Sequence, residues 1–237
     1  MELLGGARPT LQRGYFILGS MIRGLVTLAT LILVCAAAAK AQNVSGYFAG
    51  GTAIESAAGP IDTFGNGTLY DTPKMGGFFG TIGADFLFFH NEKIGIGGEY
   101  TFRKDRGPYA GLEYQPKFYD LNAVYQPLTF AHRFTPEFQL GAGRASLSVY
   151  DTLAACLKLP QGCAGENEQS VNINDLQIHA AAGMRFYAYR GIFVRPQVDV
   201  RWVRDSFSGY FGSPWVTQYS VAVGYTFHFR GGKSAKK

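Results

Sequence analysis

The sequence is short of charged residues. Only 16% of its 237 residues are Asp, Glu, Lys or Arg, whereas a soluble domain usually carries about a quarter. Long apolar runs are also scarce, since no stretch of about 18 continuous apolar residues follows residue 42, which excludes a membrane-spanning helix from the rest of the chain. Aromatic residues, by contrast, reach 15%, and there are 31 glycines. This composition is unusual for a soluble domain.

Residues 21–42, MIRGLVTLATLILVCAAAAKAQ, predict a secretory signal peptide. One arginine precedes the apolar run, and Ala-Lys-Ala follows it as a cleavage site. We expect residues 1–41 to be removed, with Met1 or Met21 as the start; a retained N-terminal anchor is the alternative. This segment contains four of the 22 basic and one of the 17 acidic residues, which leaves a net charge of +2. So small a charge does not predict nucleic-acid binding.

Cysteine is rare, and its positions matter. Of three cysteines, only Cys156 and Cys163 lie beyond the predicted signal peptide. An even pair in an exported chain favours a disulfide-bonded loop, with two free thiols as the alternative. The cysteines have no histidine pair nearby, and the histidines are scattered along the chain, so the sequence predicts neither a metal site nor a cofactor.

Alternating apolar and polar residues predict eight β-strands and no amphipathic helix. The connections between them are mostly long and short in turn, so an up-and-down antiparallel sheet would collect the long ones at one end. Transmembrane β-barrels have this asymmetry. We therefore predict an all-β fold with a transmembrane barrel over residues 42–230 and a basic periplasmic tail over 231–237. The predicted strands are 44–53, 76–89, 93–105, 116–126, 136–150, 174–189, 192–204 and 214–229.

The polar side of each predicted strand is rich in small residues. Glu99 shares its side with Gly95 and Gly97, and Arg185 shares its side with Gly183. A narrow barrel needs small residues inside to make room for a few large ones, while a bulky apolar outer side suits lipid. A soluble lipocalin-like barrel that binds an apolar ligand is the alternative. The charged residues predicted to form an interior network, and so to plug the barrel, are Asp85, Glu99, Arg103, Asp120, Arg185, Arg195, Asp199 and Arg201.

The last predicted strand ends in VGYTFHF, residues 223–229, where Gly224 precedes the alternating Phe227 and Phe229. This ending resembles the C-terminal assembly signal of Gram-negative outer-membrane proteins. Together with the signal peptide and eight strands, residues 42–230 resemble the small outer-membrane β-barrel family that includes OmpA-like and OmpX-like proteins. The resemblance implies residence in the outer membrane. It also implies lipid, lipopolysaccharide and the barrel-assembly machinery as partners.

Catalysis is not expected from the four histidines, His90, His132, His179 and His228. Some similar barrels modify lipid A, for which a base would have to lie beside a serine at the membrane interface. His179 and His228 instead lie on inward sides among small residues. The sequence favours a non-enzymatic role in envelope integrity or adhesion, with external loops, the longest at 151–173, as the place for a ligand. A narrow pore and a lipid A-modifying enzyme are the alternatives.

Overall fold

The structure, a computed structural model, covers the predicted barrel with gaps. The predicted signal peptide, both remaining cysteines, Phe229 and the predicted tail lie outside the described residues. No helix in the described part of the chain is long and apolar enough to cross a membrane. The described residues are 43–55, 60, 62, 67–69, 75–90, 92–109, 112–131, 133–151, 169–204 and 210–228.

All eight predicted strands are present, and their bounds agree with the prediction to within five residues. A ninth strand of three residues, β4, lies in a stretch predicted as a loop. The strands are β1 (Asn43–Glu55), β2 (Phe79–Phe89), β3 (Ile94–Arg103), β4 (Gly107–Tyr109), β5 (Leu112–Tyr125), β6 (Phe134–Asp151), β7 (Gln169–Tyr189), β8 (Ile192–Val203) and β9 (Trp215–His228).

The eight long strands form one closed antiparallel barrel. Strands that follow one another along the chain pair with each other, β1 pairs with β9, and β3 pairs with β5 past the short β4. The predicted eight-stranded up-and-down barrel is therefore confirmed. Closure leaves no unpaired sheet edge in the wall, which is what a strand-built protein needs inside a bilayer.

Strand β4 extends the barrel wall beyond β3 as a hairpin with the start of β5. Its Gly107 pairs with Tyr114. Gly107 and Pro108 are turn-type residues, which is why the sequence predicted a loop. In the structure a Cβ on Gly107 would lie 2.1 Å from Nη1 of Arg103 and 2.5 Å from the Tyr114 ring. Arg103 and Tyr114 therefore pack directly against the backbone at position 107, which leaves no room for a side chain there.

The two ends of the barrel differ as the loop lengths predicted. Short connections at 90–93, 126–133 and 190–191 lie at the end where β1 begins and β9 stops. Arg190 and Gly191 both have positive φ, 40° and 92°, as a two-residue type I′ hairpin requires. The longer connections lie at the opposite end. In outer-membrane barrels the short turns are periplasmic and the long connections external.

The wall has a bulky apolar outside and a polar inside. On β8, Val198 and Val200 are 40% and 37% exposed, whereas Arg195, Asp199 and Arg201 are at most 1% exposed. The same division holds around the barrel. Other strongly exposed apolar side chains include Phe48, Ile82, Leu121, Leu140, Ile178, Met184, Val221 and Val223.

The interior at the long-connection end is apolar, which the sequence pattern did not predict. Inward-facing side chains from several strands meet there, and Met75 and Phe211 join them from the connections. We call this layer the apolar cap. It borders the charged interior directly, since the Arg201 guanidinium lies 5.0 Å from the Phe118 ring centroid. The cap consists of Ala53, Met75, Phe79, Tyr114, Phe118, Ala145, Leu147, Val203, Phe211 and Val216.

Candidate functional site: the charged interior

Glycines on the inward faces make the room that the large interior side chains occupy. A Cβ on Gly83 would lie 2.3 Å from the ring of Tyr47, and a Cβ on Gly141 would lie 2.1 Å from Oδ1 of Asn122. Both distances are far below van der Waals contact. The small residues therefore occur on the polar faces because large polar side chains cross the barrel over them.

Two arginines organise the half of the charged interior that is nearer the short turns. Arg185 binds Asp85 through Nη2 and Glu137 through Nε, the latter at 2.5 Å. Arg195 binds Glu137 through Nη1 and Glu99 Oε1 through Nη2, the latter at 3.2 Å. Each of these side chains is at least nine-tenths buried. We call these five residues the lower cluster.

Tyr47 supports the lower cluster from β1. Its hydroxyl donates to Glu99 Oε1 over 2.5 Å. Its ring lies 4.0 Å from the Arg195 guanidinium, which is within cation–π range. Ser45, on the same face of β1, accepts a hydrogen bond of 2.7 Å from Arg185. The strand that begins the barrel thus contacts residues from three strands with which it does not pair, β3, β7 and β8.

A second group of charges lies next to the apolar cap, and we call it the upper cluster: Asp120, His179, Asp199 and Arg201. Arg201 donates from Nε to Asp120 Oδ2 over 3.2 Å, and its Nη2 lies 4.0 Å from Asp199 Oδ1. His179 Nε2 lies 2.9 Å from Asp199 Oδ1. Gln177 also donates to Asp120, over 2.5 Å.

Two amides join the clusters into one network. Gln139 Nε2 donates to Glu137 Oε1, Asn122 Nδ2 donates to Gln139 Oε1, and Nδ1 of His179 lies against Asn122 Oδ1, each over 3.0 Å. The chain of bonds runs from a carboxylate of the lower cluster to the histidine of the upper one. Buried polar groups that are linked in this way fix one arrangement of their neighbours.

The structure brings together seven of the eight residues named from the sequence for this network. Arg103 lies apart from them, 5.1 Å from the ring centroid of Tyr114 in the apolar cap. Glu137 was missed, although it binds both lower arginines. Glu137 lies on the same face as Gln139 in a predicted strand, so the alternating pattern could have identified it as an inward-facing residue.

The remaining predicted positions fall at the ends of the barrel or outside the described residues. Gly224 lies under Phe193, whose ring would be 2.4 Å from a Cβ there, and Phe227 is 54% exposed on the outer face. His90 lies in a turn with a φ of 52°. His228 has inward parity but is exposed at the mouth of the barrel. Cys156 and Cys163, which are predicted to form a disulfide, Phe229 and His132 lie outside the described residues.

A cavity of about 600 Å³ opens at the short-turn end. Its lining reaches Thr135 and Tyr187, each two residues along its strand from a member of the lower cluster, Glu137 and Arg185 respectively. Arg133 and Glu92 lie nearer its mouth. The interior is therefore open below the lower cluster and filled from there to the apolar cap.

Comparison with known families decides what kind of barrel this is. The family model for the outer membrane protein beta-barrel domain matches residues 26–227. The chain belongs to this family. It is an outer-membrane protein, and its apolar outer face contacts lipid.

The chain is also similar to solved structures. Ail, the attachment invasion locus protein of Yersinia pestis, is 14% identical, with 79% of this chain and 99% of that one covered and a TM-score of 0.45. Neisserial surface protein A is 11% identical, with 78% and 96% covered and a TM-score of 0.50. The N-terminal barrel of Pseudomonas aeruginosa OprF is 13% identical, with 79% and 98% covered and a TM-score of 0.44. No curated protein sequence matches the chain.

Proposed function

We propose that this protein is a non-enzymatic, closed barrel that contributes to envelope integrity or adhesion through its external connections. The observation that supports this function most strongly is the filled interior. Charged side chains from six strands cross the lumen, where they are joined to one another. An interior of this kind leaves the connections as the variable part of the molecule.

Two different barriers oppose the passage of ions. The charged layer occupies the lumen with side chains that are held by buried ion pairs, and removing one member of such a pair costs about 3 to 5 kcal/mol. The apolar cap lies directly above it and is lined mainly by apolar side chains, so an ion that entered it would lose hydration without adequate compensation. An ion would have to cross both layers, so we expect very little conductance.

The buried histidine also favours a non-enzymatic role. Both ring nitrogens of His179 lie against side chains of the network, Asn122 and Asp199, at 3.0 and 2.9 Å. A general base for nucleophilic catalysis would instead lie against a hydroxyl or thiol that substrate can reach. His179 is completely buried.

The partners that fit this function are lipid and lipopolysaccharide on the outer face and a ligand at the external connections. The barrel-assembly machinery would recognise Gly224, Phe227 and Phe229 during insertion. Residues 1–41 would direct export to the periplasm and then be removed. A Cys156–Cys163 bond would constrain the connection at 152–168, which is shorter than the predicted loop because β7 already begins at Gln169.

Conductance in planar bilayers tests the closed interior. We expect no steady conductance from the wild-type barrel. Arg201→Ala and Glu99→Ala should show brief channel openings, because each substitution removes a side chain of the charged layer while the apolar cap remains. The exposed Arg106 serves as the matched control, and Arg106→Ala should stay closed. Steady wild-type conductance would instead favour the narrow pore, for which the cavity at the short-turn end is the supporting feature.

Removal of residues 152–168 tests the role of the external connections. We expect the shortened protein to reach the outer membrane and to keep its heat-dependent mobility on gels, while cells that carry it lose attachment to surfaces or resistance to detergent. Full function without this segment would contradict a role for the longest connection. Cells that lack the whole protein but still attach to surfaces and resist detergent like the wild type would contradict the proposed function as a whole.

A further inference from the structure

The charges of the two clusters do not balance. Five buried carboxylates face three buried guanidinium groups, so two negative charges remain uncompensated when all are ionised. Arg103 does not restore the balance, since it packs on Tyr114 in the apolar cap. The carboxylates are those of Asp85, Glu99, Asp120, Glu137 and Asp199, and the arginines are Arg185, Arg195 and Arg201.

The chain of amide hydrogen bonds shows where positive charge is lacking. Glu137 accepts from Gln139, which fixes the orientation of that amide and, through it, the orientation of Asn122. Asn122 therefore presents its oxygen to His179, so that Nδ1 carries the ring proton. The other nitrogen, Nε2, then points a lone pair at a carboxylate oxygen of Asp199 only 2.9 Å away. That contact is repulsive unless Nε2 carries a second ring proton or binds a cation that the same carboxylate also holds.

Two carboxylate oxygens beside this contact have no hydrogen-bond partner. They are Oε2 of Glu99 and Oδ2 of Asp199, on side chains that are almost completely buried. Ligand atoms of Glu99, His179 and Asp199 lie within 4.8 Å of one another. Small side-chain rotations would bring them to the spacing of ligands around one metal ion.

We propose that Glu99, His179 and Asp199 bind a divalent cation of the Zn²⁺ class inside the barrel. One imidazole and two carboxylates are ligands that zinc accepts, and two positive charges would cancel the excess of the interior. The hydrogen bonds from neighbouring residues to the three ligand residues are also those expected around a bound metal ion. Asn122 orients the histidine. Tyr47 donates to Glu99 Oε1 and Gln197 donates to Asp199 Oδ1, which leaves Glu99 Oε2 and Asp199 Oδ2 for the metal.

Metal content of the folded barrel tests the site. The protein, without a histidine tag and folded in detergent, is incubated with Zn²⁺, freed of excess metal with a chelator and analysed for zinc. We expect about one zinc per folded chain, released when the barrel is unfolded by heat. His179→Gln and Glu99→Gln should each weaken binding by about tenfold or more. His228→Gln removes an exposed histidine of the same barrel and should leave binding unchanged.

Two spectroscopic measurements make the result decisive even if a variant fails to fold. Co²⁺ bound to wild-type protein should give visible absorption bands that Zn²⁺ displaces. Nitrogen NMR of the His179 ring should show Nε2 unprotonated in the metal-loaded barrel. A folded barrel that retains no zinc would overturn the proposal, and protonation of both ring nitrogens would then place a proton between His179 and Asp199. Equal zinc binding by His179→Gln would overturn it too. The proposed closed interior would survive either result, since its ion pairs do not require the metal.

Discussion

The charged layer and the apolar cap fill the same barrel in opposite ways. The cap resembles the core of a soluble protein, in which each side chain contributes by being buried among apolar neighbours. The charged layer holds groups whose burial is costly and which remain only because each has a partner. The two layers therefore tolerate different changes: the cap should accept any apolar side chain of suitable volume, while the charged layer should depend on individual atoms.

The largest effect is expected from Glu137→Ala. This carboxylate binds both Arg185 and Arg195, so its removal leaves two buried guanidinium groups short of a partner. We expect the free energy of unfolding to fall by about 3 to 5 kcal/mol. Urea unfolding in phospholipid vesicles, followed by the fluorescence of Trp202 and Trp215, measures the loss. A loss below about 1 kcal/mol would mean that the charged layer does not brace the barrel.

Leu147→Ala should have the next largest effect. Leu147 is 1% exposed in the cap, and truncation leaves a cavity, so we expect a loss of about 3 kcal/mol in the same unfolding experiment. Leu140 lies on the same strand but is 64% exposed on the outer face. Leu140→Ala should cost less, because lipid fills the vacated space.

Two conservative substitutions should distinguish the charged layer from the apolar cap more clearly. Leu147→Met keeps the volume and should cost less than about 1.5 kcal/mol. Glu137→Gln keeps the shape but removes the charge, and it should remain strongly destabilising. Similar losses from these two variants would mean that the two layers do not differ in their tolerance of substitution.

Gly83→Ala should have an intermediate effect. The added Cβ would lie 2.3 Å from the Tyr47 ring, so it would push the tyrosine away from Glu99 at a cost of about 1 to 3 kcal/mol. Gly46 faces outward, and a Cβ there would have nothing within 4 Å. Gly46→Ala is therefore the matched control and should leave the free energy of unfolding nearly unchanged. Equal effects would contradict the role of inward glycines in making room.

The smallest effect is expected at the rim of the barrel, at the exposed ion pair between Arg106 and Glu113. Its side chains are 39% and 45% exposed and 3.1 Å apart. Glu113→Gln should cost no more than about 1 kcal/mol, and added salt should remove even that difference. Urea unfolding at low and high salt measures it. A loss as large as that of Glu137→Ala would remove the contrast between buried and exposed pairs.

The sequence predicted those features of the fold that follow from strand parity, the alternation of side chains between the two faces of a strand. Alternation identified eight strands and placed Arg195, Asp199 and Arg201 inside, because a strand in a barrel has only two faces. It did not distinguish Phe118 or Leu147 from lipid-facing residues of the same chemistry, although their parity is inward. Both lie inside because the lumen above the charged layer has room for large apolar side chains.

The contacts across the lumen could not be predicted from the sequence, for a different reason. Arg103 and Arg201 have the same chemistry and both face inward, but one packs on Tyr114 and the other binds Asp120. The difference depends on height in the barrel, which the tilt and register of the closed sheet determine. The histidines likewise appeared scattered, so the sequence predicted no metal site. Only the closed barrel brings Glu99, His179 and Asp199 from three strands to within 4.8 Å.

The sequence by itself determined the closed barrel, its two faces and the end that carries the long connections, because alternation and loop length are local properties of the chain. The tertiary structure decided which charges meet, that Glu137 joins both arginines, and that an apolar cap covers them. Those outcomes depend on distances between strands that are far apart in the sequence, such as the 2.7 Å bond from Arg185 to Ser45, which are 140 residues apart. Closure of the sheet fixes these distances, and no local pattern encodes them.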